Sequence, residues 1–246
     1  MASTHIVKAY DEELQHLNNN IARMGGLAEE QLASAIQSMV KRDSELASKT
    51  IENDDKVDRL EHELNDFVMR LLALRQPMAS DLRNIIAALK IASDLERIAD
   101  CATNVAERAI ALNEIPPVKP LYTIPRMSGL VQQMIKDVLD AYIERDVDKA
   151  VEVWHRDDEV DEMYTALLRE LLTYMLENPR NITPCTHLLF IAKNIERIGD
   201  HATNIAEMVH FLVHGVPFRE KRRKEHYPGV AAVAPAANEE GEASSK

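Results

Sequence analysis

The feature that most constrains this chain is a helical segment that occurs twice. Leu89–Glu107 and Leu189–Glu207 lie one hundred residues apart and share twelve identical residues. Shorter matches precede each copy: RMGGL at 23–27 returns as RMSGL, and DDKVD at 54–58 returns as DDEVD at 157–161. The matches follow the same order in both halves. The chain is therefore predicted to contain two copies of one structural unit.

Each copy has the pattern of three helices. Apolar residues recur at three- and four-residue spacing, and no stretch shows sustained strand alternation. Seven glycines and 4% aromatic residues in a chain of 246 argue against a sandwich or barrel. The predicted helices span 6–42, 44–75, 78–113, 123–145, 147–177 and 181–214. The predicted fold is all-α, with two tandem three-helix bundles, six helices in total, related by pseudo-two-fold symmetry.

The domain boundaries follow from proline and charge. The segment NEIPPVKPLYTIP carries four prolines and cannot be helical throughout. We expect a first repeat at 1–113, a linker at 114–125, a second repeat at 126–217 and a basic run with a tail at 218–246. The tail is small, polar and aperiodic, which predicts disorder. REKRRK at 219–224 has two interpretations, a solvated helix end or a docking segment for an acidic partner or lipid surface.

Charge and composition exclude several classes of protein. A formal net charge of −12 repels phosphate backbones, so no direct nucleic-acid binding is expected. Cys101 and Cys185 form no CxxC motif, and two cysteines make no disulfide framework, which suits a reducing cytoplasm. The N terminus does not resemble a signal peptide, and no apolar run approaches the roughly 20 residues that span a bilayer. We expect a cytoplasmic protein that reaches a membrane only through partners.

Acidic residues form a stripe on each repeated helix. At about 100° per residue, the oxygen-bearing side chains of the first copy fall in one stripe, bordered by alanines that would let a neighbouring helix approach. The stripe holds Glu96, Asp100, Thr103, Asn104 and Glu107, and its second copy holds Glu196, Asp200, Thr203, Asn204 and Glu207. The preceding helices add two further acidic pairs at i,i+4.

Like charges at this spacing repel each other, whereas converging carboxylates suit a hard or borderline cation. An ordinary solvated acidic face, neutralised in part by Arg97 and Arg197, is the alternative. The predicted metal ligands are Asp54, Asp58, Glu96, Asp100, Asp157, Asp161, Glu196 and Asp200. Additional candidates are Glu61, Asn104, Glu107, Asn204 and Glu207.

Three motifs carry a resemblance to a known family. LRQPMASDLR at 74–83, ERIAD at 96–100 and ERIGDHATNIAE at 196–207 resemble the PhoU family of bacterial regulators of phosphate uptake, over about residues 5–215. The resemblance implies a cytoplasmic, often dimeric protein that represses the phosphate-starvation response when phosphate is plentiful. It implies partners in the ATP-binding subunit of the phosphate ABC transporter and a phosphate-sensing histidine kinase.

The resemblance also implies metal clusters on E/D-x-x-x-D motifs, which correspond here to the four acidic pairs and would hold Mg, Mn, Fe or Zn. One departure separates the copies, because Ala99 and Cys101 replace Gly199 and His201. A difference in affinity or metal preference between the two sites is therefore left open.

The leading hypothesis is a non-enzymatic signalling adaptor, since no nucleophile–base pair or phosphate-binding glycine loop is visible. The alternative is a carboxylate-bridged di-iron oxidase or iron-storage bundle, because Glu13–His16 and Glu207–His210 match the E-x-x-H spacing. Against it, Ile110 stands where the first repeat would need a histidine. A metal-free scaffold is the third interpretation. Trp154 and the ten methionines are predicted to serve packing.

Overall fold

The computed structural model of the chain describes residues 2–75, 77–117 and 122–219. Within these ranges every regular element is a helix, so the all-α prediction is confirmed. None of these helices is long and apolar enough to cross a membrane. The predicted tail at 218–246 and the basic run at 219–224 lie outside the described residues, except for their first positions.

The observed helices follow the predicted spans closely. They are α1 Ala2–Lys41, α2 Ser44–Glu52, α3 Asp54–Arg75, α4 Ala79–Asn113, α5 Thr123–Glu144, α6 Val147–Glu177 and α7 Ile182–His214. A single 3-10 turn, Pro179–Asn181, leads into α7. The prediction of one helix over 44–75 needs a correction, because this span is broken at Asn53 into α2 and α3.

A repeated Arg-Asp dipeptide makes the first corner of each unit. Arg42 and Arg145 adopt left-handed backbone conformations, with φ of 55° and 60°, which end α1 and α5. The next residue then caps the following helix: Asp43 accepts a hydrogen bond from Leu46 N at 2.9 Å, and Asp146 accepts one from the corresponding amide of α6. The dipeptide is therefore repeated in the sequence because it builds the same turn twice.

The two units pack against each other mainly through α4 and α7. The two helices are antiparallel: Arg83, near the start of α4, lies beside Gly215 at the end of α7, and Arg108, near the end of α4, covers the ring of Phe190 at 4.8 Å. In its own unit α4 contacts α1, α2 and α3, and α7 contacts α5 and α6. The central pair therefore belongs to both bundles.

Because neighbours surround α4 and α7, both helices bury small side chains on several sides. The fully buried alanines include Ala88, Ala92, Ala99, Ala102 and Ala106 in α4, and Ala192 and Ala202 in α7. Small side chains allow close helix approach, as the sequence predicts for the alanines beside the acidic stripe. Trp154 is also buried and meets Phe218 edge-on, which confirms its packing role.

Both cysteines are buried free thiols, which agrees with the absence of a disulfide framework. Burial is the main cause that raises the pKa of Cys101 to about 11, so its thiol stays protonated at neutral pH. The pKa of Cys185 is raised by burial as well.

A second seam joins the units where α1 meets α5. The hydroxyl of Tyr142 donates to Asn18 at 2.8 Å, and Gly25 of α1 lies directly against the side chain of Leu139. A side chain on Gly25 would collide with that leucine, whereas its neighbour Gly26 faces open space. Glycine at position 25 therefore permits the close approach of α1 to α5.

Gly25→Ala and Gly26→Ala are expected to change stability in opposite directions. Both replace a helix-interior glycine, a gain of about 0.5–1 kcal/mol. Only the first overpacks the α1–α5 seam, which costs about 1–3 kcal/mol. In urea titrations Gly26→Ala should raise the free energy of unfolding, and Gly25→Ala should lower it. Equal stability of the two variants would show that Leu139 can move aside without cost.

Candidate functional site

Carboxylates from α3 and α4 converge in the first repeat. The pKa of Asp58 is raised, first by burial and then by the nearby charges of Asp54 and Asp100. The pKa of Glu96 is raised by burial and by Asp100, with smaller contributions from Asp58 and Glu61 that oppose the effect of Arg97. Each carboxylate therefore feels charges on the opposite helix. We call Asp54, Asp58, Glu61, Glu96 and Asp100 the first acidic site.

One arginine offsets part of this charge. Arg97 Nε lies 3.3 Å from Glu96 Oε2, and Arg97 Nη1 lies 3.0 Å from Asp100 Oδ2. The Arg97 side chain is 56% exposed, so water screens both interactions and each contributes little stability. The first acidic site therefore keeps an excess of negative charge.

A buried glutamine of α1 donates a hydrogen bond to a carboxylate of the first acidic site. Gln31 is 4% exposed, and its Nε2 donates to Asp54 Oδ1 at 3.0 Å and to Thr103 Oγ1 at 2.6 Å. This amide links α1, α3 and α4 through one group. Gln31 is absent from the residues predicted from the sequence, although a polar residue at a core position of α1 is a signal that could reveal it. Its counterpart in the second repeat is the buried Met134.

The second acidic site, Asp157, Asp161, Glu196 and Asp200, is carried by α6 and α7, and two of its carboxylates are buried. Asp157 is 5% exposed and Glu196 is 9% exposed. A Cβ on Gly199 would come within 2.7 Å of Asp157 Oδ1. Glycine at position 199 therefore lets this carboxylate lie against the backbone of α7. The first repeat has Ala99 at the equivalent position, and there Asp54 is only half-buried.

A lysine neutralises part of the second acidic site. Lys193 Nζ lies 2.6 Å from Glu196 Oε2 and 2.7 Å from Glu196 Oε1. The same ammonium sits 5.3 Å from the centroid of the Tyr164 ring. Lys193 is absent from the residues predicted from the sequence, but the difference between the repeats at this position is a signal for it, because the first repeat has Ser93 there.

Cys101 and His201, which occupy equivalent positions in the two repeats, both lie near the interface between α4 and α7. His201 Nδ1 lies 2.9 Å from Asp94 Oδ1 of α4, and Asn204 donates to the same oxygen at 3.2 Å. Cys101 is buried, and its thiol feels the charge of Arg197 across the interface. The His201 difference therefore serves the pairing of α4 with α7.

The five additional metal-ligand candidates differ in their surroundings, and not all of them lie at an acidic site. Glu61 is near enough to Glu96 of the first acidic site that its charge contributes, as the smallest cause, to the raised pKa of Glu96. Asn104 donates to the carbonyl of Asp100, and Asn204 bonds across the interface. The remaining two are Glu107, which is exposed, and Glu207, which accepts a hydrogen bond from Trp154 Nε1 at 3.2 Å. Metal binding by these side chains stays a prediction.

The Glu and His residues of the two E-x-x-H matches contact other protein groups: an arginine, an aromatic ring, an indole and a backbone carbonyl. Glu13 forms an ion pair with Arg75 at 2.9 Å, and His16 packs edge-on against an aromatic ring. In the second match Glu207 bonds to an indole, and His210 Nδ1 lies 3.2 Å from a backbone carbonyl oxygen. These contacts give each residue a structural role and supply no observation in favour of a di-iron centre.

The acidic sites fit a metal in residue type but not in the arrangement of their side chains. Their donors are carboxylate oxygens from two packed helices, which suit Mg²⁺, Mn²⁺ or iron. Across residues 2–75, 77–117 and 122–219, no group of three or more His, Cys, Asp or Glu side chains is arranged so that it could hold an ion. Repulsion between the carboxylates, and their attraction to Arg97 and Lys193, oppose such convergence. The side chains would therefore have to turn toward one another around a cation.

Both repeats match one family model. The model of the PhoU domain matches residues 21–109 and again residues 124–209. The chain belongs to the PhoU family. The two matched stretches contain both acidic sites and leave out the proline-rich segment between the units, so the duplication seen in the sequence is that of the PhoU domain.

Relatives and solved PhoU structures agree with this assignment. A PhoU homolog of Caulobacter vibrioides is 52% identical over 89% of this chain and 96% of its own length. A PhoU homolog of Rhizobium meliloti is 47% identical over 92% and 95%. The crystal structure of PhoU from Pseudomonas aeruginosa superposes with a TM-score of 0.82 at 41% identity, covering 84% of this chain and 100% of that one.

The crystal structure of the phosphate transport system regulatory protein PhoU from Streptococcus pneumoniae gives a TM-score of 0.79 at 27% identity, covering 86% of this chain and 100% of that one. The family resemblance and the two-unit helical fold are thus confirmed.

Asp58→Asn is expected to stabilise the metal-free protein at pH 7 by about 0.5 kcal/mol, because it removes repulsion between like charges. The folded pKa of Asp58 lies above its unfolded value, so the folded protein binds more protons between the two. The free energy of unfolding therefore falls as pH rises through that window, and the variant should lose part of this fall.

Thermal unfolding in EDTA between about pH 4 and pH 7 measures the effect. Asp66→Asn, an exposed position on the same helix, is the control. A variant at position 58 that is less stable than this control would contradict the repulsion described above.

Asp100→Ala combined with Asp200→Ala is expected to lower the bound metal while the protein stays helical. Both aspartates are only partly buried, and alanine is a strong helix former. Elemental analysis after purification without chelator, together with circular dichroism, gives the two readouts. Asp66→Ala with Glu162→Ala removes the same charge from exposed positions and serves as the control. Unchanged metal content in a helical double variant would rule out this ligand set.

Proposed function

We propose that this protein is an accessory regulator of a phosphate-specific transport system. The observation that carries the proposal is the similarity of both repeats, over most of the chain, to proteins named phosphate-specific transport system accessory protein PhoU homolog. Both acidic sites fall within the matched repeats. The transport system itself is a set of other proteins, and this chain acts on it as a partner.

The proposed role is to repress the phosphate-starvation response when phosphate is plentiful. The chain would do so in the cytoplasm, often as a dimer, by linking the ATP-binding subunit of the phosphate ABC transporter to a phosphate-sensing histidine kinase. It touches the membrane only through these partners. No catalytic step is assigned to it, in keeping with relatives named as accessory or regulatory proteins.

The two exposed helix corners support contact with two partners. Leu74 and Met78, at the α3–α4 corner, are 79% and 78% exposed. Leu176 and Ile182, at the equivalent α6–α7 corner, are 87% and 49% exposed. Because α4 and α7 are antiparallel, the two corners lie at opposite ends of the central helix pair. Large exposed apolar side chains are typical of protein contact surfaces, and one chain has two such surfaces.

The acidic sites are proposed to hold divalent cations that tune this adaptor. Asp54, Asp58, Glu96 and Asp100 would bind a cation between α3 and α4. A bound cation supplies positive charge that relieves carboxylate repulsion across the helix pair. The four carboxylates of the second acidic site would do the same for α6 and α7. Occupancy would then stiffen the packing of each central helix on its neighbour.

Deleting the gene for this chain is expected to switch on phosphate-starvation genes in medium rich in phosphate. The readout is the activity of a secreted phosphatase, which should rise strongly and fall again when the intact chain is restored. A chain carrying Asp66→Ala with Glu162→Ala should restore repression as well as the intact chain does, since both positions lie outside the acidic sites. Normal repression in the deletion strain would leave the proposed role without support.

A further inference from the structure

The two repeats hold the ends of their last helices in different ways. In the first repeat Arg42, the left-handed residue of the α1–α2 corner, reaches the end of α4. Its Nη2 donates to the carbonyl oxygens of Asn113 and Ile115, both at 2.7 Å. The side chain of Asn113 also donates to the Ser44 hydroxyl at 3.0 Å. The corner of the first repeat therefore holds the end of α4.

Arg145 occupies the equivalent corner of the second repeat but makes a different contact. Its guanidinium carbon lies 4.9 Å from the centroid of the Tyr142 ring. Its Nη1 is buried and has no hydrogen-bond partner among the described residues. A buried donor without an acceptor is costly. By the hundred-residue shift of the repeat, the carbonyls equivalent to those that Arg42 binds belong to Val213 and Gly215, at the end of α7.

A second arginine, beside the end of α7, also has a buried donor without an acceptor. Arg83 of α4 lies against Gly215, since a Cβ on that glycine would come within 2.9 Å of Arg83 Nη1. Within the described part of the chain, Arg83 Nε is buried and has no hydrogen-bond partner. The last carbonyl groups of a helix carry partial negative charge and suit such donors. Donors for the end of α7 are therefore available on α4 and, by the repeat, at the α5–α6 corner.

The chain beyond α7 packs on α6 instead. Gly215 adopts a left-handed conformation, with φ of 71°, that ends α7 and turns the chain back. We call residues 215–219 the C-terminal strap. The Phe218 ring meets the rings of Trp154 on α6 and His210 on α7 edge-on, with centroids 5.1 Å apart in each pair. His210 Nδ1 also lies 3.2 Å from a backbone carbonyl oxygen of the strap. Aromatic contacts are therefore the main attachment of the strap.

The strap is packed on one side only. A cleft of about 490 Å³ lies beside it, lined by His210, Val216, Pro217, Phe218 and Arg219. The Val216 residue is 52% exposed. Because a segment with few buried contacts opens at low free-energy cost, the strap can leave α6 without disturbing the helices.

We propose that the C-terminal strap is a clasp with two positions. In the closed position, which the structure shows, Phe218 packs on Trp154. In the open position Phe218 leaves Trp154, and Arg145 holds the carbonyl groups at the end of α7 as Arg42 holds those of α4. The two positions are close in free energy, because opening exchanges aromatic contacts for a buried donor that gains its acceptor.

Opening the clasp changes two features that a partner protein can contact. Trp154 is 7% exposed in the closed position, and its ring becomes accessible when Phe218 leaves. The basic run at 219–224 follows the strap directly in the sequence, so the clasp also sets where this run is attached. Accessible aromatic side chains are typical of protein contact surfaces. This consequence rests on the proposed adaptor role, whereas the clasp itself does not.

Fluorine magnetic resonance tests the clasp, because Trp154 is the only tryptophan of the chain. With 5-fluorotryptophan incorporated, Phe218→Ala should give the signal of the open position and Arg145→Gln that of the closed position. The intact chain should show both signals, or one signal between them if exchange is fast. Phe190→Ala removes a 48% exposed ring elsewhere on α7 and should leave the intact signal unchanged. An intact signal that Arg145→Gln does not move away from the open position would contradict the clasp.

Thermal unfolding tests the role of Arg145 by a different readout. In the intact chain Arg145→Gln should lower the melting temperature only slightly, because its Nη1 has no acceptor in the closed position. In a Phe218→Ala background the same change should lower it by several degrees, because the open position depends on Arg145. Arg42→Gln is the matched control and should lower the melting temperature equally in both backgrounds, since Arg42 holds α4 in either position.

A milder variant, Phe218→Leu, repeats this comparison with a smaller loss of apolar surface, and circular dichroism checks that each variant stays helical. If Arg145→Gln lowers the melting temperature more in the alanine and leucine backgrounds than in the intact chain, the clasp is supported. If it lowers the melting temperature equally in all three, the clasp is wrong. The proposed adaptor role is judged separately, by repression of the secreted phosphatase in the deletion strain that carries the intact chain.

Discussion

The close antiparallel packing of α4 on α7 is the contact on which the rest of the molecule depends. Each of these helices is also the third member of its own bundle, so both need small residues on several sides at once. That need explains why alanines such as Ala99 and Ala102 are fully buried there. In the first repeat the carboxylates of Glu96 and Asp100 lie on the flank of α4 that faces α3. The packing of these helices therefore brings the carboxylates close together.

The acidic sites follow from this division of faces. A helix that buries alanines toward its neighbours brings its Glu and Asp side chains close to those of α3 or α6. Three groups partly offset the resulting repulsion between carboxylates: the Gln31 amide, the exposed Arg97 guanidinium and the Lys193 ammonium. Of these three groups, the Lys193 ammonium contacts the most deeply buried carboxylate, that of Glu196.

The residues that differ between equivalent positions of the two repeats fall into two groups. Gly199, Lys193 and Tyr164 alter the second acidic site, where they deepen the burial of Asp157 and supply a positive charge. His201, by contrast, bonds to Asp94 across the α4–α7 interface. The Arg-Asp corners are alike in both repeats, and these differing residues alter either an acidic site or a contact between the units.

The sequence by itself determined the all-helical fold, the duplication and most of the helix boundaries, because helical periodicity and the Arg-Asp corners are local properties of the chain. It also placed Asp54, Asp58, Glu96 and Asp100 on helix faces at the correct spacing. Only the tertiary structure decided that Gln31 supports Asp54 and that Lys193 meets the buried Glu196 beside Tyr164. The break between α2 and α3 at Asn53 was likewise decided only by the tertiary structure. These features depend on which helices become neighbours and how closely they approach, and a single helix does not contain that information.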